Sequence, residues 1–161
     1  MTHDEFDEIL RDYLLYLEHV RLPATVPTTR EEAKTMCEEL TRRSDENPHR
    51  DAWEPIDDLI HEDPENAWRI LLATIERSHD RDLGMIGAGT LETFMWYRGV
   101  EFLDRVLAEI RSNGRFRQAF ESVYLGSDFP ETEGRLINAT LIASGTSPES
   151  TFDWWTNQTD A

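Results

Sequence analysis

Apolar residues recur every three or four positions along most of the chain, which is the spacing that lines one face of an α-helix. Thr2 and Glu5 have the spacing of a capping box, in which side chain and backbone at a helix start satisfy each other. Prolines at positions 23 and 27 follow and end the pattern. The sequence therefore predicts a first helix over about residues 2–20, with a face formed by Phe6, Ile9, Leu10, Tyr13, Leu14, Leu17 and Val20.

A second helix is predicted from a cap at Thr28 with Glu31 to about Arg43. Its apolar positions are few, so it is expected to be peripheral with a narrow buried stripe. Cys37 belongs to that stripe, and we expect it to be a half-buried structural residue. Its acidic neighbours disfavour the thiolate that a nucleophile requires.

Two further helices follow in close succession. The third is expected to start near Trp53, because Pro55 is tolerated only in a first turn. Asp63 and Pro64 then form a helix start, with an Asp cap before a proline at the first helical position. The fourth helix runs to about Ser78, and Trp53 and Trp68 are both predicted to lie in the core.

Residues 82–98 predict a short helix, a tight break at Gly87–Gly89 and a new helix from Thr90. The small residues of the break predict close packing of two helices rather than an anion site, since a preceding strand and a third glycine are missing. A sixth helix follows Gly99 and is expected to close at an Asn113–Gly114 C-cap, and a seventh continues to Tyr124. Residues 136–142 fit either a short helix or an extended segment.

No stretch of any length alternates apolar and polar residues, so the predicted class is all-α. The expected architecture is a single-domain bundle of about seven helices over residues 1–143, for which stacked helical hairpins are one layout. The third and fourth helices, and the sixth and seventh, are the predicted pairs. Residues 144–161 are expected to form a polar tail with an aromatic anchor. The predicted core includes Leu10, Leu14, Trp68, Leu71, Phe94, Leu103, Val106 and Phe120.

The 161 residues carry a net charge of −17, and that charge is unevenly distributed. Residues 1–65 have a net charge of −12, residues 66–125 are neutral and residues 126–161 have −5. Such a field attracts basic partners and repels nucleic acid and anionic membranes. Two interpretations stay open: an acidic background shared by all proteins of the host, which 15 Arg against one Lys also suggests, or a specific acidic surface.

The start of the chain has no basic segment followed by an apolar one, and no apolar run approaches a membrane span of about 20 residues. The single cysteine excludes an intrachain disulfide. These features predict a cytoplasmic protein.

The acidic third helix is the main candidate for chemistry. Asp57 and His61 are one helical turn apart, with Glu54, Asp58 and Glu62 nearby. A metal or general-base site would need further ligands that the sequence does not identify, so a solvated acidic face is the simpler interpretation. We therefore predict no catalytic residue, cofactor or metal ligand. Glu92 is expected to cap its own helix or to pair with Arg98.

Four segments in the middle of the chain carry a family resemblance: Trp53–Ile60, Asp63–Trp68, Gly87–Glu92 and Arg115–Arg117. The second reads Asp-Pro-Glu-Asn-Ala-Trp and the third Gly-Ala-Gly-Thr-Leu-Glu. Together they resemble a bacterial, all-helical domain family of unknown function over about residues 50–125, with Pro55 as a departure from the pattern. The resemblance implies a helical fold, and it supplies no activity and no catalytic residues.

The composition and charge favour a non-catalytic protein-binding module. The most concrete form is an immunity or inhibitor protein that masks a basic partner such as a nuclease. The candidate partner-binding surface consists of Glu54, Asp57, Asp58, His61, Glu62, Trp154 and Trp155. Two tryptophans in a polar tail are costly to leave in water, so they are expected to fold back on the domain or to contact another chain. A homo-oligomer is compatible with the sequence, and a metal-dependent hydrolase built around Asp57 and His61 is the alternative.

Overall fold

The computed structural model describes residues 1–21 and 27–124. Within these residues it contains seven helices and no strand, which confirms the all-α prediction. The fifth helix is composite, with an α-helical start, a π-helical middle (Gly87–Leu91) and an α-helical end. The helices are α1 (His3–Val20), α2 (Arg30–Asp45), α3 (Glu54–Glu62), α4 (Pro64–Arg77), α5 (Leu83–Ile86, Gly87–Leu91 and Glu92–Arg98), α6 (Leu103–Ser112) and α7 (Gly114–Phe120).

Local caps set several helix starts. Thr2 and Glu5 form the predicted capping box, with the Thr2 N–H donating to Glu5 Oε2 at 2.6 Å. The second box is displaced by one residue from the prediction, because Thr29 rather than Thr28 caps α2 and pairs with Glu32. Asp63 caps α4 as predicted and accepts a hydrogen bond from the Asn66 N–H at 3.3 Å.

The glycine-rich stretch does not break α5, so the predicted interruption there was wrong. Gly87 has helical backbone angles, and the helix continues through the π-helical turn without interruption. The predicted close packing is confirmed at Gly87, where an added Cβ would lie 1.9 Å from the backbone oxygen of Ala119 on α7. Gly89 has no atom within 4 Å of the equivalent position. The two glycines therefore have different roles.

The core is centred on α4, which packs against α1, α3 and α7. The predicted pairs α3 with α4 and α6 with α7 are both in contact. Of the eight predicted core residues seven are buried, whereas Leu14 is only half-buried. Trp68 lies in an aromatic cluster with Phe94, Phe102 and Phe116.

The helix α2 is more peripheral than predicted, because none of its residues is buried. Cys37 is exposed, which corrects the expectation of a half-buried thiol. Asn113 ends α6 with an extended backbone at φ −117° and at the same time caps α7, so Gly114 opens a helix instead of closing one. The junction of α6 and α7 is therefore a single shared capping residue.

Two arginine side chains bind the C-terminal ends of helices that are distant from them in the sequence. Arg98 of α5 donates to the carbonyl oxygens of Ile60 at 2.8 Å and His61 at 2.6 Å. Arg115 of α7 donates to the carbonyl oxygens of Ile75 at 2.9 Å and Ser78 at 2.5 Å, and it also pairs with Asp80. Carbonyls at helix ends lack partners within their own helix, so these guanidinium groups stabilise the ends of α3 and α4.

No helix of the described residues is long and apolar enough to cross a membrane. The predicted segment at 136–142 and the tail at 144–161, with Trp154 and Trp155, lie outside the described residues.

Candidate functional site

The surface of α3 carries the unpaired acidic groups of the candidate site. Glu54, Asp58 and Glu62 are spaced four residues apart and are exposed, so they form one stripe along the helix. Asp57 lies beside this stripe and is half-buried. None of these four side chains makes a hydrogen bond or an ion pair with another described residue. We call the four carboxylates the α3 acidic face.

Carboxylates on α2 are in a different situation, although they belong to the same acidic part of the chain. Glu39 accepts hydrogen bonds from Arg42 and Arg43, and these cations lower its pKa to about 2. Glu46 pairs with Arg42 at 2.5 Å, and Glu38 pairs with Lys34 at 3.6 Å. The helix α3 contains no Lys or Arg at all. Several acidic side chains of α2 are therefore compensated by neighbouring cations, whereas α3 has no cation of its own.

The fold holds α3 in a fixed position. Ile56 and Ile60 are completely buried on its inner side. Its C-terminal carbonyls are bound by Arg98, and its last residue is followed directly by Asp63, which caps α4. A helix fixed at both its inner side and its end presents its outer side chains in a defined arrangement.

Exposed aromatic side chains lie at both ends of the α3 acidic face. Trp53 immediately precedes α3 and is 46% exposed, which corrects its prediction as a core residue. At the other end the His61 ring contacts the edge of the Tyr97 ring, with centroids 4.3 Å apart, and Tyr97 is 53% exposed. Sequence reasoning included His61 in the surface and missed Tyr97, because α5 brings it there from 36 residues away along the chain.

A pocket of about 280 Å³ opens beside α3, between α1 and the π-helical turn of α5. We call it the α1–α3–α5 pocket. The rings of Tyr13 and Tyr16 stack nearly parallel in its wall, with centroids 5.9 Å apart. The Tyr13 hydroxyl hydrogen-bonds to the Thr90 hydroxyl, and burial raises the pKa of Tyr13 to about 12. The lining residues are Tyr13, Tyr16, Trp53, Asp57, Ile60, Met85, Gly89, Thr90 and Thr93.

Asp57 and His61, on which a metal site would have been built, have different surroundings in the structure. Asp57 lines the α1–α3–α5 pocket, whereas the His61 ring lies against Tyr97. In the described part of the chain, no three His, Cys, Asp or Glu side chains are grouped so that they could hold a metal ion. The hydrolase alternative therefore has no observation in its favour.

Glu92 neither caps its own helix nor pairs with Arg98. Its carboxylate accepts a hydrogen bond from the backbone N–H of Tyr124 at 2.6 Å, just beyond α7. Burial raises its pKa despite this hydrogen bond. Glu92 therefore links the end of the described chain to α5, which no local sequence pattern indicated.

The segments that carried the family resemblance mostly stabilise the fold. Asp63 caps α4, Trp68 lies in the core, Gly87 permits the contact between α5 and α7, and Arg115 binds the end of α4. Arg115 is consequently engaged with protein groups. The exposed acidic residues of α3 make no such stabilising contact with other described residues.

The model of a family described as a family of unknown function, DUF6869, matches residues 41–141 of the chain. This match includes α3 to α7 and extends beyond the described residues. No curated protein and no solved structure matches the chain. Because the family match covers more than half of the sequence, the protein is a member of the family of unknown function DUF6869.

Proposed function

We propose that the protein is a non-catalytic binding module that docks a basic protein on the α3 acidic face. The observation that carries the proposal is the presence of four carboxylates within nine residues, none of them paired with another described residue. Uncompensated surface charge of one sign produces a field that extends about 10 Å at 0.1 M salt and accelerates the approach of an oppositely charged partner.

The exposed aromatic residues support protein binding rather than simple solvation of the acidic helix. Tryptophan and tyrosine are enriched among the residues that dominate interface energies, because they bury a large area with few rotatable bonds. Trp53 and Tyr97 flank a helix about 13 Å long, by the rise of 1.5 Å per residue. An acidic centre between two exposed aromatic side chains suits a basic protein surface.

In its most concrete form the protein is an immunity or inhibitor protein that masks a basic partner such as a nuclease. Charge complementarity mainly raises the rate of association, and buried anchor residues then slow dissociation. The rigid attachment of α3 through Ile56, Ile60 and Arg98 favours this function, because a preorganised surface loses little entropy on binding.

A pair of matched charge-reversal variants tests the proposal. In the first variant Asp58→Lys and Glu62→Lys reverse two charges of the α3 acidic face. In the control variant Asp45→Lys and Glu76→Lys reverse two other exposed acids, each in the last turn of its helix and without a partner among the described residues. Both variants change the net charge by four units. They are expected to remain folded, since all four positions are exposed and all but Asp58 lie in the last turn of a helix, where lysine is favourable.

Each form is used as bait in an extract of the native host, and captured proteins are quantified by mass spectrometry. We expect the wild type and the control variant to retain the same basic protein, which the α3 variant loses and which elutes as salt rises. With the purified partner, the α3 variant should slow association more than it speeds dissociation. If both variants lose the captured protein equally, only the total charge matters and the proposal is wrong. Capture of an acidic or neutral partner would also contradict the proposal.

A further inference from the structure

We infer that the α1–α3–α5 pocket receives one arginine side chain of the basic partner. This inference rests on the proposed function and specifies the chemical group that the surface recognises. The pocket volume of about 280 Å³ is at the lower limit of small-molecule sites, so it accommodates one side chain rather than an extended ligand.

The wall of the pocket is aromatic. The ring of the buried Tyr13 stacks against the ring of the half-buried Tyr16, with an angle of 9° between their planes, so Tyr16 supplies the accessible part of this pair. Trp53 adds a third ring at the pocket and is partly exposed to solvent. A cation over such rings is attracted by the negative charge density of the ring face, and the effect increases as water is excluded.

Asp57 gives the pocket its charge. Of the described residues that line it, Asp57 is the only one that is charged at neutral pH, and its carboxylate has no partner among the described residues. The carboxylate is half-buried, so a cation that reaches it is shielded from competing water. The hydroxyl groups of Thr90 and Thr93 are further polar groups of the lining.

The combination of stacked rings and a carboxylate favours arginine over the other groups that a protein partner could present. A guanidinium group is planar, stacks on aromatic faces and binds a carboxylate through two parallel hydrogen bonds. A carboxylate or phosphate would be repelled by Asp57, and a neutral side chain would leave it unpaired.

Two residues of the π-helical turn line the pocket on the side of α5. Gly89 and Thr90 belong to this turn, and no atom lies within 4 Å of a Cβ placed on Gly89. Single π-helical turns occur often at functional sites, because the additional residue displaces side chains from the regular helical positions. Because Gly89 has no side chain, this part of the lining stays open.

A titration without any protein partner tests the pocket directly. The probe is Nα-acetyl-L-arginine N-methylamide, and the citrulline compound of the same shape without charge is its control. Binding is followed by nuclear magnetic resonance at the Trp53 indole N–H, which is assigned by its loss in Trp53→Phe. We expect saturable binding of the arginine probe in the millimolar range, and at least about tenfold weaker binding of the citrulline probe.

Two neutralising variants of α3 separate the pocket from the general field. Asp57→Asn should weaken binding of the arginine probe by about tenfold or more, whereas Asp58→Asn, with the same charge change on an exposed neighbour, should weaken it by less than about twofold. Equal binding of the two probes, or equal effects of the two variants, would overturn the inference.

The outcomes also separate this inference from the proposed function. If the pocket binds no arginine while the α3 charge reversal still abolishes partner capture, only the pocket inference is wrong. If the pocket binds arginine through Asp57 while the charge reversal leaves capture unchanged, only the proposed docking surface is wrong.

Discussion

The contact between α5 and α7 predicts that Gly87 and Gly89 respond in opposite directions to the same substitution. In Gly87→Ala the new methyl group would lie 1.9 Å from the backbone oxygen and 2.9 Å from the carbonyl carbon of Ala119. Real Cβ atoms do not approach other atoms so closely, and a backbone carbonyl cannot rotate away as a flexible side chain can. The helices must therefore separate, or α7 must shift along α5. Gly89→Ala places its methyl group in open space.

The magnitudes follow from two opposing contributions. Alanine is favoured over glycine within a helix by roughly 0.5–1 kcal/mol, and this gain applies at both positions because neither glycine has a left-handed backbone. Overpacking a core contact costs about 1–3 kcal/mol and sometimes more. Since the clash at Gly87 involves backbone, we take the upper part of that range and expect a net loss of about 2 kcal/mol. Gly89→Ala should instead gain up to about 1 kcal/mol.

Urea unfolding followed by far-UV circular dichroism measures both effects in the same assay. The free energy of unfolding of the two variants should differ by about 3 kcal/mol, with similar slopes if both unfold in one step. Gly89→Ala serves as the control for helix propensity, because it lies two residues away in the same π-helical turn. A difference below about 1 kcal/mol would refute the packing argument and would indicate that α7 does not lie tightly on α5.

Three further predictions concern the core, pH and a buried ion pair. Leu71→Ala and Leu103→Ala should each lower the free energy of unfolding by about 2–5 kcal/mol in the same urea assay, with the larger loss at the fully buried Leu71; a loss below about 1 kcal/mol at both would contradict the assigned core. The pKa of Tyr13 is raised in the folded state to about 12 from its ordinary value of 10.0, so the stability it contributes is complete below pH 10 and is lost as the pH rises through 12. Absorbance titration of tyrosinate should show a late step that Tyr13→Phe removes, and its persistence in that variant would assign it elsewhere. Arg21→Ala should cost about 3 kcal/mol by thermal or urea unfolding, because it leaves the buried Asp82 without its two-hydrogen-bond partner; a loss below about 1 kcal/mol would show that water compensates the carboxylate.

Errors in the sequence-based helix starts have a local physical origin. At the start of α2 two threonines are followed by two glutamates, so both Thr28 with Glu31 and Thr29 with Glu32 have capping-box spacing. The sequence pattern alone does not distinguish the two registers, and the structure adopts the second. At Asp63 only one register exists, and the cap was predicted correctly.

Burial was predicted well where a helix is covered along its length and poorly where it is not. Trp68 lies in the middle of α4, which has neighbours on several sides, and it is buried as predicted. Trp53 has helical spacing to the buried Ile56 but immediately precedes α3 at the edge of the α1–α3–α5 pocket, where its neighbours cover it only in part, and it remains exposed. Periodicity identifies the face of a helix, whereas only the neighbouring elements decide how much of that face is covered.

The sequence by itself determined the helical class, the faces of α1, α4 and α6, the caps at Thr2 and Asp63 and the acidity of the α3 surface. These features depend on interactions within one or two helical turns, which the spacing of residues specifies. Only the tertiary structure decided that Arg98 binds the end of α3, that Glu92 binds the backbone of Tyr124, and which carboxylates stay unpaired. It also created the α1–α3–α5 pocket from three separate helices. Contacts of this kind join residues more than 30 positions apart, and their geometry is set by how the helices pack rather than by any local pattern.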